Sequence, residues 1–206
     1  MKTKSQHEPG SVYADTMLRV RKHLEAMDQK LPAQTLEAAE DVAMHGRKVI
    51  EAIAYGSLLI AEHSGLSLSS SLRRGRGAKA ILGGLEKRQL LALPSPSIFR
   101  DANALERAMH NVMRVIEGQP DRRLTRRQLE AMYGRFHALC HEPNPYARGR
   151  LSVTPKELEQ VGADARSLRR FLERHAISIN GQSFFCTLWD AGDGQLKVVP
   201  LSKVAA

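Results

Sequence analysis

At 206 residues, with 42% hydrophobic and 26% charged side chains, the chain is long enough for one good core and too short for two full-sized domains. Aromatics make up only 5% while Ala and Leu recur throughout, which favours helix packing and argues against an all-β fold. The formal charge of +9, from 31 Lys and Arg against 22 Asp and Glu, sets up a positive field that attracts polyanions or anionic surfaces. No run reaches the roughly 18 apolar residues of a membrane span, and the opening MKTKSQHEPG has no apolar stretch of the signal-peptide kind, so a cytoplasmic location is expected. Cys140 and Cys186 form no CxxC pair and read as buried thiols rather than a disulfide or a zinc site.

In chain order, residues 1–10 are polar and read as a mobile tail. Tyr13, Met17, Val20, Leu24, Met27 and Leu31 then step by three and four, which predicts a helix ended by Pro32. A second, long helix is expected from about Thr35, with Glu37, Glu40 and Asp41 in its first turns, where the helix dipole favours negative charge. Its later part, VIEAIAYGSLLIAE, suits the centre of a bundle. The segment GLSLSSSLRRGRG breaks the pattern and predicts an exposed basic loop carrying Arg73, Arg74 and Arg76. With Lys79, Lys87 and Arg88 these form a first candidate phosphate-binding patch, against the alternative of a solvated loop.

A short helix from about Lys79 to Lys87 and a proline-containing connection, PSPSIF, lead to a helical pattern at Leu105, Met109, Val112 and Ile116, with Asp101 as its cap. Thr125 and Gln128 have capping-box spacing, followed by a helical stripe of Leu129, Met132, Tyr133, Phe136 and Leu139 that ends before Pro143. Thr154, Pro155 and Glu157 start a last helix running to about Arg174. Beyond it the period changes: ISI, an Asn180-Gly181 turn, QSFFCTLW, a DAGDG loop and QLKVVPL predict a three-stranded β-meander.

The chemistry concentrates in MYGRFHALCHEPNPYARGR, Met132 to Arg150. Arg135 can hold a phosphate with its planar donors, and His141 can exchange a proton near neutral pH, so the pair can support phosphodiester cleavage with the RNA 2′-hydroxyl as nucleophile and no metal. Six positions at about 100° each place them on different sides of an ideal helix. Pairing them requires either unwinding near His141 or a composite site shared by two subunits. Asn144 either contacts RNA or makes an ordinary Asn-Pro turn, and Tyr146 either stacks on a base or closes a core edge. His137 and His141 share a helical face, but no third ligand accompanies them, and neither a metal nor another cofactor is expected. Arg122, Arg123, Arg126 and Arg127 crowd the start of the same helix against its dipole, as salt-sensitive RNA contacts or as charges partly neutralised by Asp121 and Glu117. There is no phosphate loop, dinucleotide fingerprint, GxSxG elbow or HExxH.

RKVIEAIAYGSLLIAE from Arg47, AKAILGGLEK from Ala78 and MYGRFHALCHEPNPY from Met132, in that order, resemble the HEPN family of nucleotide- and RNA-associated four-helix proteins over roughly residues 12–150. Arg135 and His141, with five residues between them, match the arginine-to-histidine spacing of its catalytic members, whereas Phe136 stands where those members usually carry a polar residue. The resemblance implies a homodimer, metal-independent endoribonuclease activity and a toxin or anti-phage defence role; non-catalytic dimerisation modules also belong to the family. The expected architecture is therefore mainly α, with a HEPN-like up-and-down helical bundle over residues 11–175 and a small antiparallel β-meander appendage at 176–206. RNA is the expected partner, a protein docking on the meander edge a further one, and a membrane none.

Overall fold

The computed structural model describes residues 9–33, 35–63, 68–75, 77–140, 154–179 and 181–201. Helix α1 (Pro9–Lys30) follows from its three- and four-residue apolar spacing, which puts Tyr13, Met17, Val20, Leu24 and Met27 on one fully buried face. It stops where Pro32 lies in a 3-10 turn (Leu31–Ala33). Thr35 Oγ1 accepts from the Ala38 amide at 3.2 Å and opens α2 (Leu36–His63), the longest element, whose buried face mixes Val49, Ile50 and Ile53 with small residues. One of these, Gly46, lets α6 (Arg126–Leu139) come close: a Cβ at Gly46 would lie 2.5 Å from Phe136 Cε2. The neighbour is a fully buried ring rather than a flexible tip, so Gly46→Ala is expected to cost about 1–3 kcal/mol by overpacking, read as a lower denaturant midpoint at unchanged slope.

The expected basic loop contains one turn of helix, α3 (Ser70–Arg73), capped by Ser69, before α4 (Ala78–Glu86). Thr125 with Gln128 and Thr154 with Glu157 form the capping boxes expected of α6 and of α7 (Pro155–Leu172). The expected tail at 1–8, Gln34, Arg76, the 141–153 stretch and Asn180 lie outside the described residues; residues 9 and 10 of that tail belong to α1.

Two expectations fail in the middle of the chain. PSPSIF is a strand rather than a connection, β1 (Ser95–Asp101), and the helix expected from Leu105 to Ile116 is only α5 (Ala104–His110), followed by β2 (Arg114–Gly118). The helix ends because Asn111 takes a left-handed conformation (φ 49°) and because its apolar spacing meets no core: Leu105 and Met109 are 67% and 66% exposed. The β-branched residues beyond it pair with β1 instead, Ile116 opposite Phe99 and Val115 opposite Arg100. Asn103, not Asp101, caps α5, in a box with Glu106.

The meander is present as β3 (Arg174–Ile179), β4 (Gln182–Thr187) and β5 (Lys197–Leu201). It is one part of a five-stranded antiparallel sheet of order β2-β1-β3-β4-β5. Ile177, Phe184, Cys186 and Leu188 join the same hydrophobic core as α1, α2 and α7, so a boundary after residue 175 divides no core. Tyr13 of α1 donates its hydroxyl to His175 Nε2 of β3 at 2.7 Å, and His175 Nδ1 donates to the Leu172 carbonyl at 2.9 Å. A carbonyl only accepts, so Nδ1 carries the proton; burial lowers the imidazole pKa to about 4, which leaves Nε2 unprotonated near neutral pH to accept from Tyr13. Among the described residues, no helix is long and apolar enough to cross a membrane.

Candidate nucleic-acid interface

Arg135 lies on the outward side of α6, between the buried Met132 and Phe136. Its Nε and Nη2 donate to Asp164 Oδ2 and Oδ1 at 2.7 and 2.9 Å, a two-pronged ion pair with α7. Asp164 is 2% exposed and also accepts from Gln160 Nε2 at 2.9 Å, whereas the Arg135 side chain is 42% exposed. The guanidinium is thus fixed in plane with its charge compensated, and Nη1 takes no part in that fork. Phe136, next in sequence, is wholly core. His141, Asn144 and Tyr146 lie outside the described residues.

Two residues before Arg135 on α6, Tyr133 donates to Glu51 Oε1 of α2 at 3.1 Å, and Arg47 Nε donates to the same oxygen at 3.0 Å. The Arg47 guanidinium sits 5.7 Å from the centre of the Tyr133 ring, which in turn lies parallel to the His137 ring at 6.2 Å. Burial raises the Cys140 thiol pKa above its ordinary value, with Arg47 opposing; burial pushes the Cys186 thiol up to about 12. Neither cysteine has the depressed pKa of a reactive thiolate. Among the described residues no group of three or more His, Cys, Asp and Glu side chains is arranged to hold a metal ion.

The basic residues are where tertiary structure adds most. Helices α4 and α6 run antiparallel: Gly77 lies beside Tyr133, and Gly83 beside Arg126 and Glu130. Arg126 lies between two carboxylates, 2.6 Å from Glu86 at the end of α4 and 2.5 Å from Glu130. This pins the end of α4, with the exposed Lys87 and Arg88, against the start of α6, with the exposed Arg123 and Arg127. Arg123 Nη2 donates to Ser95 Oγ at 3.3 Å, which brings in the first residue of β1. Two basic stretches more than thirty residues apart in sequence therefore meet at one corner.

The charge at the start of α6 is offset differently from the sequence-based expectation. Glu86, Glu130 and, at 3.6 Å from Arg122, Glu173 do it, whereas Glu117 pairs with Arg100 at 3.2 Å. Arg73 pairs with Glu62 at 3.0 Å, Arg74 is exposed, and Arg76 lies outside the described residues. None of these partners is a sequence neighbour of its arginine beyond the Arg126–Glu130 helical pair, so only that one carried a local signal.

The sequence matches no protein-family model and no curated protein, and no solved structure matches its fold.

Proposed function

We propose that the protein binds RNA at the corner where α4 ends, α6 begins and β1 starts, and that it is a candidate metal-independent endoribonuclease of the HEPN type, in a toxin or anti-phage setting. The observation that carries the binding reading is the meeting of Lys87, Arg88, Arg123 and Arg127 on one exposed corner while two of the nearby acids, Glu86 and Glu130, are engaged by Arg126. Exposed cations held on short, rigid elements supply phosphate affinity without reading sequence. In the cleavage step His141 takes the proton from a 2′-hydroxyl, whose oxygen attacks the adjacent phosphorus. The P–O5′ bond breaks, leaving a 2′,3′-cyclic phosphate and a 5′-hydroxyl that takes up a proton, while Arg135 stabilises the added charge on the phosphate.

A second reading, a non-catalytic and homodimeric interaction module, is favoured by the Arg135–Asp164 fork, which already occupies two of the arginine's nitrogens. Cleavage of mixed structured and single-stranded RNA in EDTA separates the two. Products that vanish in both Arg135→Ala and His141→Ala support the pair; intact RNA that remains bound to the wild type supports the module. Absence of any RNA affinity at low salt rejects the RNA-binding reading and leaves the interaction module.

A further inference from the structure

The outward face of the sheet offers a single strand something the basic corner lacks: an aromatic surface. Side chains alternate across a strand, and Tyr13 on His175 marks the face of β3 that meets the helices. Ala176 therefore points outward, and cross-strand register carries that side to Ser95, Phe185 and, through Phe185, to Val199. Along β1 the same side shows Phe99, opposite Ile116 of β2. The Phe99 ring lies 4.3 Å from that of Phe185 at an interplanar angle of 50°, and it remains 40% exposed, as Val199 does at 41%. A phenyl ring that rests on a buried ring and keeps an open side is positioned to receive a base at little cost in side-chain entropy.

Two further observations select the occupant. Charged residues at outward registers of the five strands are Arg114, Arg174 and Lys197 and the acid Asp101; Arg114 pairs with Asp101 at 3.8 Å and Lys197 with Asp190 and Asp193 at 2.9 and 3.1 Å, which leaves Arg174 as the cation this face adds. Arg123, one of the four arginines at the start of α6, touches this face at Ser95, so the basic corner and the sheet face share a border. We infer that the sheet face, with Phe99 as its stacking residue, holds the unpaired bases of a single-stranded RNA whose backbone is gripped at the corner through Arg123. This rests on the RNA-binding reading and adds a preference for single strands, since the bases of a duplex are stacked on one another and offer no open ring.

The test is binding of the full chain to a fluorescent single-stranded oligoribonucleotide and to an RNA duplex at low salt, comparing wild type, Phe99→Ala and Phe99→Leu. The leucine keeps apolar contact with Phe185 and guards against a variant that fails to fold, and thermal melts accompany each protein. Both variants are expected to lose about 5- to 100-fold in single-strand affinity, with duplex affinity and salt dependence unchanged. Undiminished single-strand binding by both folded variants, while the wild type binds RNA, overturns the sheet-face inference and leaves the basic corner standing. A wild-type dimer that dissociates in both variants with RNA affinity intact assigns the face to a second copy and also overturns it. A wild type that binds no RNA removes the reading beneath it.

Discussion

Lowering the pH from 6.5 to about 4 is expected to remove about 3 kcal/mol of folding stability through His175 alone. Burial is the main cause: it lowers the imidazole pKa from 6.5 to about 4, against a smaller opposing effect of the Leu172 carbonyl. Because the folded-state pKa lies below the unfolded one, the unfolded chain takes up the proton first. The contribution is therefore complete above about pH 6.5 and is lost as the pH falls towards 4. Protonation at Nε2 also confronts the Tyr13 hydroxyl, which must stop donating there. His23 adds a loss of the same sign, its pKa lowered by burial and by the neighbouring His45, whose Nδ1 is 2.9 Å away, and Lys48. Denaturant unfolding at several pH values tests this when wild type is compared with His175→Gln, which has nothing to titrate. The stability difference between them should shrink by about 3 kcal/mol across the window. A constant difference would mean that the imidazole is not held neutral.

Arg135→Ala is expected to cost about 2–4 kcal/mol, more than Asp164→Asn, although the two remove the same ion pair. Loss of the arginine strands a carboxylate that is 2% exposed, with Gln160 as its remaining hydrogen-bond partner among the described residues. Loss of the acid leaves a guanidinium that is already 42% exposed and can be hydrated. That half-open arginine also keeps the first cost below what a fully enclosed pair would give. Urea midpoints of the two single variants and the double variant measure the asymmetry, and the double variant should be more stable than Arg135→Ala. Equal costs would show that water reaches Asp164 once the arginine is gone. The asymmetry matters for any cleavage assay, because an Arg135→Ala protein must be shown to be folded before lost activity is attributed to the phosphate.

Helices α1, α2, α4, α6 and α7 were legible because each carries an apolar stripe of helical period and, for α6 and α7, a capping box within four residues. The β1–β2 hairpin was not legible, since Leu105, Met109, Val112 and Ile116 keep helical spacing although the first two face solvent and the last sits in a strand. Periodicity reports a buried face only when something covers it. The pairing of that hairpin with β3 depends on contacts across some eighty residues, which no local pattern records. The candidate site divides in the same way. The arginine runs stand out in the sequence, but Glu86 as the partner of Arg126, Asp164 as the partner of Arg135 and the border at Ser95 arise only from packing.

The central claim is that the corner of α4, α6 and β1 is an RNA-binding surface, and the most direct measurement is RNA affinity as a function of salt for wild type and for Lys87→Gln/Arg123→Gln/Arg127→Gln. These side chains are exposed, so the variant should fold normally, with its melting temperature within a few degrees of wild type. The account predicts that wild-type affinity falls steeply with salt on a logarithmic plot, and that removing the three cations flattens the slope by about 2–3 and weakens binding at low salt. A folded triple variant with wild-type affinity and slope would contradict it.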